Sequence, residues 1–195
     1  MLLNSIISMR LIESSDIKRK IANDEKIINQ ISFAANIIIE CLKNNGKIVL
    51  CGNGGSASDA LHFAGEIVGR FQKERNPWPA IALNSDVSTL TAIANDYGYD
   101  SVFSRQTKAH LKENDIFIGI STSGNSKNII NALLEAKKIG AKTIVLVGKD
   151  GGELNRISDI SICINSPITA RIQECHITII HIICELVESS LILHD

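Results

Sequence analysis

The sequence has few aromatic residues, few prolines and almost no net charge. Aromatic side chains make up 4% of the 195 residues, there are three prolines, and the formal net charge is -1. Without a basic excess, nothing draws the chain to nucleic acid or to an anionic membrane surface. Because 45% of the residues are hydrophobic, a chain of this length can bury an aliphatic core. We therefore expect one domain over residues 1–195, with no nucleic-acid or membrane partner.

The five cysteines form no C-x-x-C pair, and their number is odd. This usage favours reduced, mostly buried thiols over a disulfide framework. The first nine residues are interrupted by polar side chains and have no basic stretch, which argues against a signal peptide. The longest apolar stretch, around residues 177–184, contains His181 and is too short to span a bilayer. These features predict a soluble cytoplasmic protein.

The hydrophobic pattern changes after residue 45. Residues 1–45 follow helical i, i+3, i+4 spacing, with Asn23-Asp24 as a candidate cap and Asn44-Asn45-Gly46 as the stop. Residues 46–195 alternate short β-branched runs with helical ones. The predicted strands are 47–51, 79–84, 115–120, 142–147 and 159–164, and the predicted helices are about 56–70, 88–94, 102–112, 126–139 and 168–192. Strands bracketed by helices predict an α/β sandwich, in which helices cover both faces of a five-stranded parallel sheet behind a helical N-terminal extension.

Two loops rich in Gly and Ser, at residues 51–58 and 119–126, each join a predicted strand to a predicted helix. Such a loop presents free backbone N–H groups and the positive end of a helix dipole, which hold a phosphate without Lys or Arg. In the second loop four hydroxyls add neutral donors: Ser121, Thr122, Ser123 and Ser126. Both loops fall at carboxyl ends of strands, where open α/β sheets bind ligands. The pair predicts a small phosphorylated ligand held between them.

Two other interpretations of the first loop stay open at this point. Residues 52–57 satisfy the loose dinucleotide pattern G-x-G-x-x-G/A. The acidic residue expected about 20 positions later is missing, since residues 70–73 read Arg-Phe-Gln-Lys and Asp86 lies further along. No Gly-Lys-Ser/Thr follows, which excludes a Walker A motif. The other interpretation is that the glycines only form a tight strand-to-helix turn.

On the helix that follows the first loop, His62 and Glu66 are four residues apart and therefore point from one face. Such a pair can share a divalent metal such as zinc, or orient each other for proton transfer. The alternative is a solvated surface pair. The position of the pair, two to three turns beyond a phosphate loop, favours a functional role.

The last predicted helix opens with a polar cluster. Arg171 and Glu174 suit a structural ion pair, and His176 suits a surface histidine. Gln173 and His181 are eight residues apart, a rise of roughly 12 Å along the helix. They can reach one small ligand only if it lies between them, and otherwise they serve two sites in an oligomer. A histidine within an Ile-rich helix is costly without a partner or a function, and we favour a function for His181.

The last helix is apolar on more than one face, at Ile179, Ile180, Ile182, Ile183, Leu186, Val187 and Leu191. A helix of this kind needs cover on two sides, which favours a homo-oligomer over a monomer.

Two further segments are ambiguous. Asn95-Asp96 ends a short predicted helix and suits either hydrogen bonds to sugar hydroxyls or a helix cap. Residues 148–152 are most simply a turn.

In combination these motifs resemble the signature of bacterial phosphoheptose isomerases, which are sedoheptulose 7-phosphate isomerases of the sugar-isomerase (SIS) domain family. The resemblance runs from about residue 36 to residue 191. Ser58 and Leu61 stand where the family more often has Ala and Gln. The matching segments are Asn53-Gly54-Gly55-Ser56-Ala57, Asp59-Ala60, His62-Phe63-Ala64, Glu66, Gly69-Arg70-Phe71, Leu90-Thr91-Ala92-Ile93, Asn95-Asp96-Tyr97-Gly98, Phe103-Ser104-Arg105-Gln106, Ser121-Thr122-Ser123-Gly124-Asn125-Ser126, Asp150-Gly151-Gly152 and Arg171-Ile172-Gln173-Glu174 with His176.

The resemblance implies a role for each matching residue. One zinc per subunit would be bound by His62, Glu66, Gln173 and His181, with no nucleotide cofactor. Glu66 and His181 would also be the acid/base pair, although a carboxylate committed to zinc is a poorer base. Phosphate would be held by Ser121, Thr122, Ser123 and Ser126. The other implied substrate contacts are Asn53, Gly54, Gly55, Ser56, Glu66, Asn95, Asp96 and Gln173.

The implied reaction is an aldose–ketose isomerisation without a redox cofactor. A base removes the proton at C1 of open-chain sedoheptulose 7-phosphate, and the enediol regains a proton at C2 while an acid serves the neighbouring oxygens. We assign Glu66 as the base and His181 as the acid. The product, D-glycero-D-manno-heptose 7-phosphate, would enter nucleotide-heptose and surface polysaccharide synthesis, such as that of lipopolysaccharide or capsule.

The same family contains non-catalytic proteins that bind the replication initiator, and these are the main alternative. They lack the catalytic residues, whereas Glu66 and His181 are both present here. A sugar-phosphate-sensing regulator would need a DNA-binding segment, for which residues 1–45 are too neutral and aliphatic. The family also implies a tetramer. Because Gln173 and His181 lie so far apart on one helix, we expect a neighbouring chain to supply one of them to the site around His62 and Glu66.

Overall fold

The computed structural model describes residues 2–192, which form an α/β structure around a five-stranded, all-parallel sheet. The strands are β1 (Ile48–Gly52), β2 (Ala80–Ala82), β3 (Ile116–Ser121), β4 (Lys142–Gly148) and β5 (Ile160–Ile164). The helices are α1 (Leu2–Ala22), α2 (Glu25–Lys43), α3 (Gly55–Val68), α4 (Val87–Tyr97), α5 (Val102–His110), α6 (Lys127–Ile139), α7 (Gly152–Ile157) and α8 (Thr169–Ile192), with a 3-10 turn at Tyr99–Ser101. The predicted fold class, including the helical N-terminal extension, is confirmed.

The N-terminal region is a pair of helices divided where the sequence predicts a cap. The carboxylate of Asp24 accepts hydrogen bonds from the backbone N–H groups of Lys26 and Ile27, which caps α2. Helix α2 buries a stripe that includes Ile31, Ala34, Ala35, Ile38 and Ile39. Helix α1 contains no buried residue, although many of its side chains are apolar.

The strand order is β2-β1-β3-β4-β5. From β1 the chain crosses outward to β2, and from β3 it crosses the opposite way to β4. The order therefore reverses between β1 and β3, and a crevice forms at their carboxyl ends where loops diverge to opposite faces. Both Gly/Ser-rich loops begin at this reversal, since the first follows β1 and the second follows β3.

Each face of the sheet has its own aliphatic core. Side chains such as Ile48 and Leu50 pack on one face under α2, α3 and α8. Alternate side chains such as Val49 and Phe117 pack on the other face under α5 and α6. The central strands are buried on both faces, as a parallel sheet requires.

Helix α8 is long and apolar enough, by length and composition, to cross a membrane. The eight-residue stretch at 177–184 is too short for this, but the helix extends well beyond it on both sides. Half of the apolar window is buried inside the protein, where α8 packs on α2 and α3. A core helix meets the same criterion, and this packing identifies α8 as one.

His176 lies in the core, so the prediction of a surface histidine is wrong. Its side chain is fully buried, and its ring Nε2 donates a hydrogen bond to the backbone oxygen of Val147 at the end of β4. Burial lowers the pKa of His176 to about 4, with the Val147 bond acting in the opposite direction. A neutral imidazole therefore joins α8 to the sheet. The predicted Arg171–Glu174 ion pair is present, and Arg171 also contacts Glu13 of α1.

Strand β2 and helix α7 differ from the prediction, and helix α4 extends to Tyr97, three residues beyond its predicted end. Strand β2 has three residues rather than six, because the chain turns at Ser85, whose N–H donates to Ala82. Helix α7 was not predicted, since six residues with two apolar side chains give no readable period. The turn before it was predicted correctly, and Gly151 there has φ 85°, which favours glycine. Four of the cysteines are buried and none is paired, as expected.

Candidate active site

The first loop is a tight connection between β1 and α3. Gly54 has φ 56° and is the N-cap of α3, a conformation that favours glycine. The first bond of the turn runs from the Ser56 N–H to the Asn53 oxygen at 3.0 Å, so the amides of Gly54 and Gly55 precede the hydrogen-bonded part of the helix. Ser56 is buried. The loop therefore directs backbone N–H groups toward the carboxyl edge of the sheet.

The second loop gathers hydroxyl groups at the start of α6. Ser121 Oγ lies 3.0 Å from Ser126 Oγ and 3.4 Å from Ser123 Oγ. The Gly124 N–H donates to Ser121 Oγ, and a Cβ at Gly124 would collide with the backbone of Gly151. Thr122 is half-buried within the same turn. Three hydroxyls and a helix N-terminus thus converge on one point, which is suited to an anion.

Helices α3 and α8 bring three ligand-type side chains together. His62 Nε2 lies 2.9 Å from Glu66 Oε1, as i, i+4 spacing predicts. His181 Nε2 lies 3.3 Å from His62 Nε2, and the two rings meet edge to face. One nitrogen or oxygen from each residue lies within 4.8 Å of the others. Two imidazoles and a carboxylate within this distance form a donor set suited to zinc.

The side chain of Gln173 lies elsewhere on the same pair of helices. A Cβ at Gly55 would collide with the Gln173 amide, so this side chain packs on the first loop. His62 is seven residues beyond Gly55, about 10 Å along the axis of α3. Because α3 and α8 run in the same direction, Gln173 lies beside the start of α3 while His181 lies beside His62.

This arrangement narrows one expectation. His181 meets His62 and Glu66 within a single chain, so of the two residues only Gln173 is left for a neighbouring chain to supply. The parallel packing of α3 on α8 gives Gln173 and His181 separate partners on one neighbouring helix. Gln173 is not part of the three-residue cluster within the chain.

Asn95 and Asp96 lie on the last turn of α4 and are exposed, with Asn95 Nδ2 donating to Asp96 Oδ1 at 2.8 Å. They do not cap the helix. The C-cap is Gly98, whose N–H donates to Ala94. The next residue, Tyr99, donates from its hydroxyl to Asn53 Oδ1 at 2.9 Å, which brings this segment to the first loop.

A buried carboxylate that was not singled out from the sequence supports the cluster. Glu188 on α8 is 2% exposed and accepts backbone N–H bonds of 2.7–2.9 Å from residues 71–73. Arg75 Nε adds a fourth bond at 3.1 Å. Burial opposes the charge, but these donors outweigh it and hold the pKa of Glu188 below its usual range. The available signal was its position, because Glu188 lies four residues after Cys184 and three before Leu191, on the apolar face of the helix.

The Glu188 network reaches two residues of the cluster. Arg75 Nη2 donates to the backbone oxygen of Glu66 at 2.8 Å. The Phe71 ring lies 5.7 Å from the His181 ring, between centroids. The segment after α3 therefore fixes the surroundings of both Glu66 and His181.

One turn before His62, burial raises the pKa of Asp59 to about 6, and the charge of His62 opposes this rise.

Comparison with known proteins gives one consistent family. The SIS domain family matches residues 13–148. A phosphoheptose isomerase of Sulfurimonas denitrificans is 49% identical over 185 residues, which cover 95% of each chain. One of Nitratiruptor sp. is 54% identical over 170 residues, which cover 85% of this chain and 91% of the relative. The solved phosphoheptose isomerase of Neisseria gonorrhoeae superposes with a TM-score of 0.90 at 41% identity, over 96% of this chain and 99% of the other.

Proposed function

This chain belongs to the SIS domain family, and we propose that it is a phosphoheptose isomerase, which interconverts sedoheptulose 7-phosphate and D-glycero-D-manno-heptose 7-phosphate. The observation that carries the proposal is the convergence of His62, Glu66 and His181 on the side of the sheet edge that carries both Gly/Ser-rich loops. These loops, at residues 51–58 and 119–126, are suited to phosphate and are called the phosphate-type loops. The similarity to phosphoheptose isomerases over nearly the whole chain supports the same substrate. The loop at Gly55 and the cluster at His62 are about 10 Å apart along α3, a distance that an extended seven-carbon sugar phosphate can span.

The second loop and the first loop bind the phosphate and the sugar hydroxyls in this proposal. Ser121, Thr122, Ser123 and Ser126 donate to the phosphate. Backbone and side chains of residues 53–56, with Gln173 beside them, contact the sugar, as do Asn95 and Asp96 beyond Tyr99. Neutral donors and helix N-termini suffice for the charge of the phosphate.

Glu66 and His181 carry the proton transfer. The C1–H bond of the ketose breaks as a carboxylate oxygen of Glu66 takes the proton, and the electron pair forms the C1–C2 double bond of the enediol. The proton returns at C2 while the C1 oxygen becomes the carbonyl, so the atoms balance without a redox cofactor. His181 donates to and accepts from the neighbouring oxygens. Since Oε1 of Glu66 faces His62, we assign Oε2 as the basic atom.

We also propose one zinc ion per subunit, held by His62, Glu66 and His181. The three donor atoms fit it, because two imidazoles and a carboxylate are a common set in catalytic zinc sites that keep one position open. When bound, zinc supplies a Lewis acid that polarises the substrate oxygens. Gln173, which the family resemblance makes a fourth ligand, packs on Gly55 within the chain.

The non-catalytic alternative is not favoured. A protein that only binds a partner has no need of the His62–Glu66–His181 arrangement, nor of a buried network that supports Glu66 and His181. No nucleotide cofactor enters the proposed reaction. A cytoplasmic location and a place in nucleotide-heptose synthesis for a surface polysaccharide follow from this substrate, and one domain over residues 1–195 is consistent with the single sheet.

A homotetramer completes the proposal and is tested by sedimentation velocity. Side chains of α1 are apolar yet exposed, among them Leu3 at 75% and Leu11 at 68%, and Ile182 and Leu186 of α8 are also exposed. Further copies of the chain would cover these surfaces. We expect a single species of four times the 21.2 kDa chain mass. A monomer at micromolar concentration would contradict the proposal.

Replacing Glu66 by Gln tests the base. Glutamine keeps the size of the side chain but cannot take a proton, so we expect kcat for sedoheptulose 7-phosphate to fall by about 10²–10⁴-fold with a small change in KM. Glu185→Gln, at an exposed position on α8, is the matched control and should keep full activity. Near wild-type turnover in Glu66→Gln, in folded protein, would remove Glu66 from this role.

Zinc binding is tested by thermal unfolding of metal-stripped protein. Saturating zinc at about 100 times its Kd should stabilise the wild type by about 2.7 kcal/mol, an increase in Tm of several degrees. The His181→Ala variant should lose most of this increase, whereas His110→Ala, at an exposed position on α5, should keep it. An equal increase in His181→Ala would show that zinc binds outside the cluster.

A further inference from the structure

Asparagine side chains hold the first loop from both sides. After β2, Asn84 Nδ2 donates to the Gly52 oxygen at 2.7 Å and Asn84 Oδ1 accepts from the Gly52 N–H at 3.2 Å. On α6, Asn128 Nδ2 donates to Asn53 Oδ1 at 3.0 Å, and Asn53 Nδ2 donates to Asn128 Oδ1 at 2.9 Å. Two reciprocal amide pairs therefore flank the β1–α3 loop.

The strand order explains these two supports. Strand β1 lies between β2 and β3, so the loop that follows β1 has a neighbour on each side. Asn84 comes from the β2 side. Asn128 comes from the β3 side, two residues beyond Ser126 of the second loop. The pair of Asn53 and Asn128 thus connects the first loop to the first turn of α6, which begins directly after the second loop.

The connection uses most of the hydrogen-bonding capacity of Asn53. Its Oδ1 accepts from Asn128 and from the Tyr99 hydroxyl, which fills both lone pairs. Its Nδ2 gives one N–H to Asn128 and keeps a second for another acceptor. Asn128 is 3% exposed, so an unpaired amide there would be costly and the reciprocal pair is strongly favoured.

We propose that Asn128 is a positioning residue that couples the two loops by fixing Asn53, so that both are arranged for one phosphorylated ligand before it binds. Asn128 does not touch the substrate. Its effect reaches the ligand through Asn53 and the backbone of residues 53–55. A preorganised loop loses less conformational freedom on binding, so loss of the pair weakens affinity. This inference rests on the proposed function, since the ligand is the same sugar phosphate.

The test is a double-mutant cycle in the slow Glu66→Gln background, with calorimetric Kd values for sedoheptulose 7-phosphate. Asn128→Ala should raise Kd about tenfold. In protein that already carries Asn53→Ala, the same change should raise Kd less than twofold, because the partner is gone. Asn131→Ala is the matched control. It lies on the same helix and donates to the Asp100 oxygen instead, so Kd should stay within twofold.

Asn128→Asp is a second variant, for the case that Asn128→Ala does not fold. It keeps the shape of the side chain and the acceptor for Asn53 Nδ2, but it sets a carboxylate oxygen against Asn53 Oδ1. It should therefore raise Kd at least as much as Asn128→Ala. In the active enzyme, Asn128→Asp should raise KM with kcat within threefold, which general destabilisation would not produce. Unchanged Kd in either folded Asn128 variant, or equal effects with and without Asn53→Ala, would overturn the inference. Failure of the Glu66→Gln parent to bind the sugar phosphate would instead contradict the proposed function.

Discussion

Strands β1 and β3 lie side by side at the point where the strand order reverses, and the chain leaves them toward opposite faces of the sheet. The two Gly/Ser-rich loops are neighbours because of this reversal alone, since Gly119 lies 67 positions after Gly52 in the sequence. The same reversal directs α3 to the face on which α8 packs. The phosphate-type loops and the His62–Glu66–His181 cluster therefore depend on one topological constraint.

The parallel packing of α3 and α8 brings the candidate catalytic side chains together beside the sheet. It aligns Gln173 with Gly55 and His181 with His62, so one pair of helices extends from the loop to the cluster. Glu188 lies two turns beyond His181 and binds the backbone of residues 71–73, while Arg75 holds the Glu66 carbonyl. Arg75 and Glu188 form a buried ion pair in which both partners make further hydrogen bonds, so the cost of removing one partner is high. The cluster is thus supported at the end farther from the loops.

Much of the fold and part of the site could be predicted from the sequence, for local reasons. Strand and helix periods, and the turn residues between them, gave the five strands and both loops. The i, i+4 spacing placed Glu66 on His62. The family resemblance grouped His181 with His62, but the packing that brings them together within one chain could not be predicted from spacing. The burial of His176 beneath β4 and of Glu188 beneath residues 71–73 could not be predicted either, because each depends on packing between distant elements. Periodicity places a residue on a helix face but does not identify the element that faces it.

The central claim is that the cluster of one chain removes a proton from C1 of a ketose phosphate and returns a proton at C2. The most direct measurement is NMR of sedoheptulose 7-phosphate incubated with the zinc-supplied protein in D2O, without nucleotide. The side chains of His62 and Glu66 are 47% and 22% exposed, so a proton held on Glu66 can exchange with solvent. The account predicts an aldose heptose 7-phosphate that carries deuterium at C2. No conversion of the ketose by folded, zinc-supplied protein would contradict it.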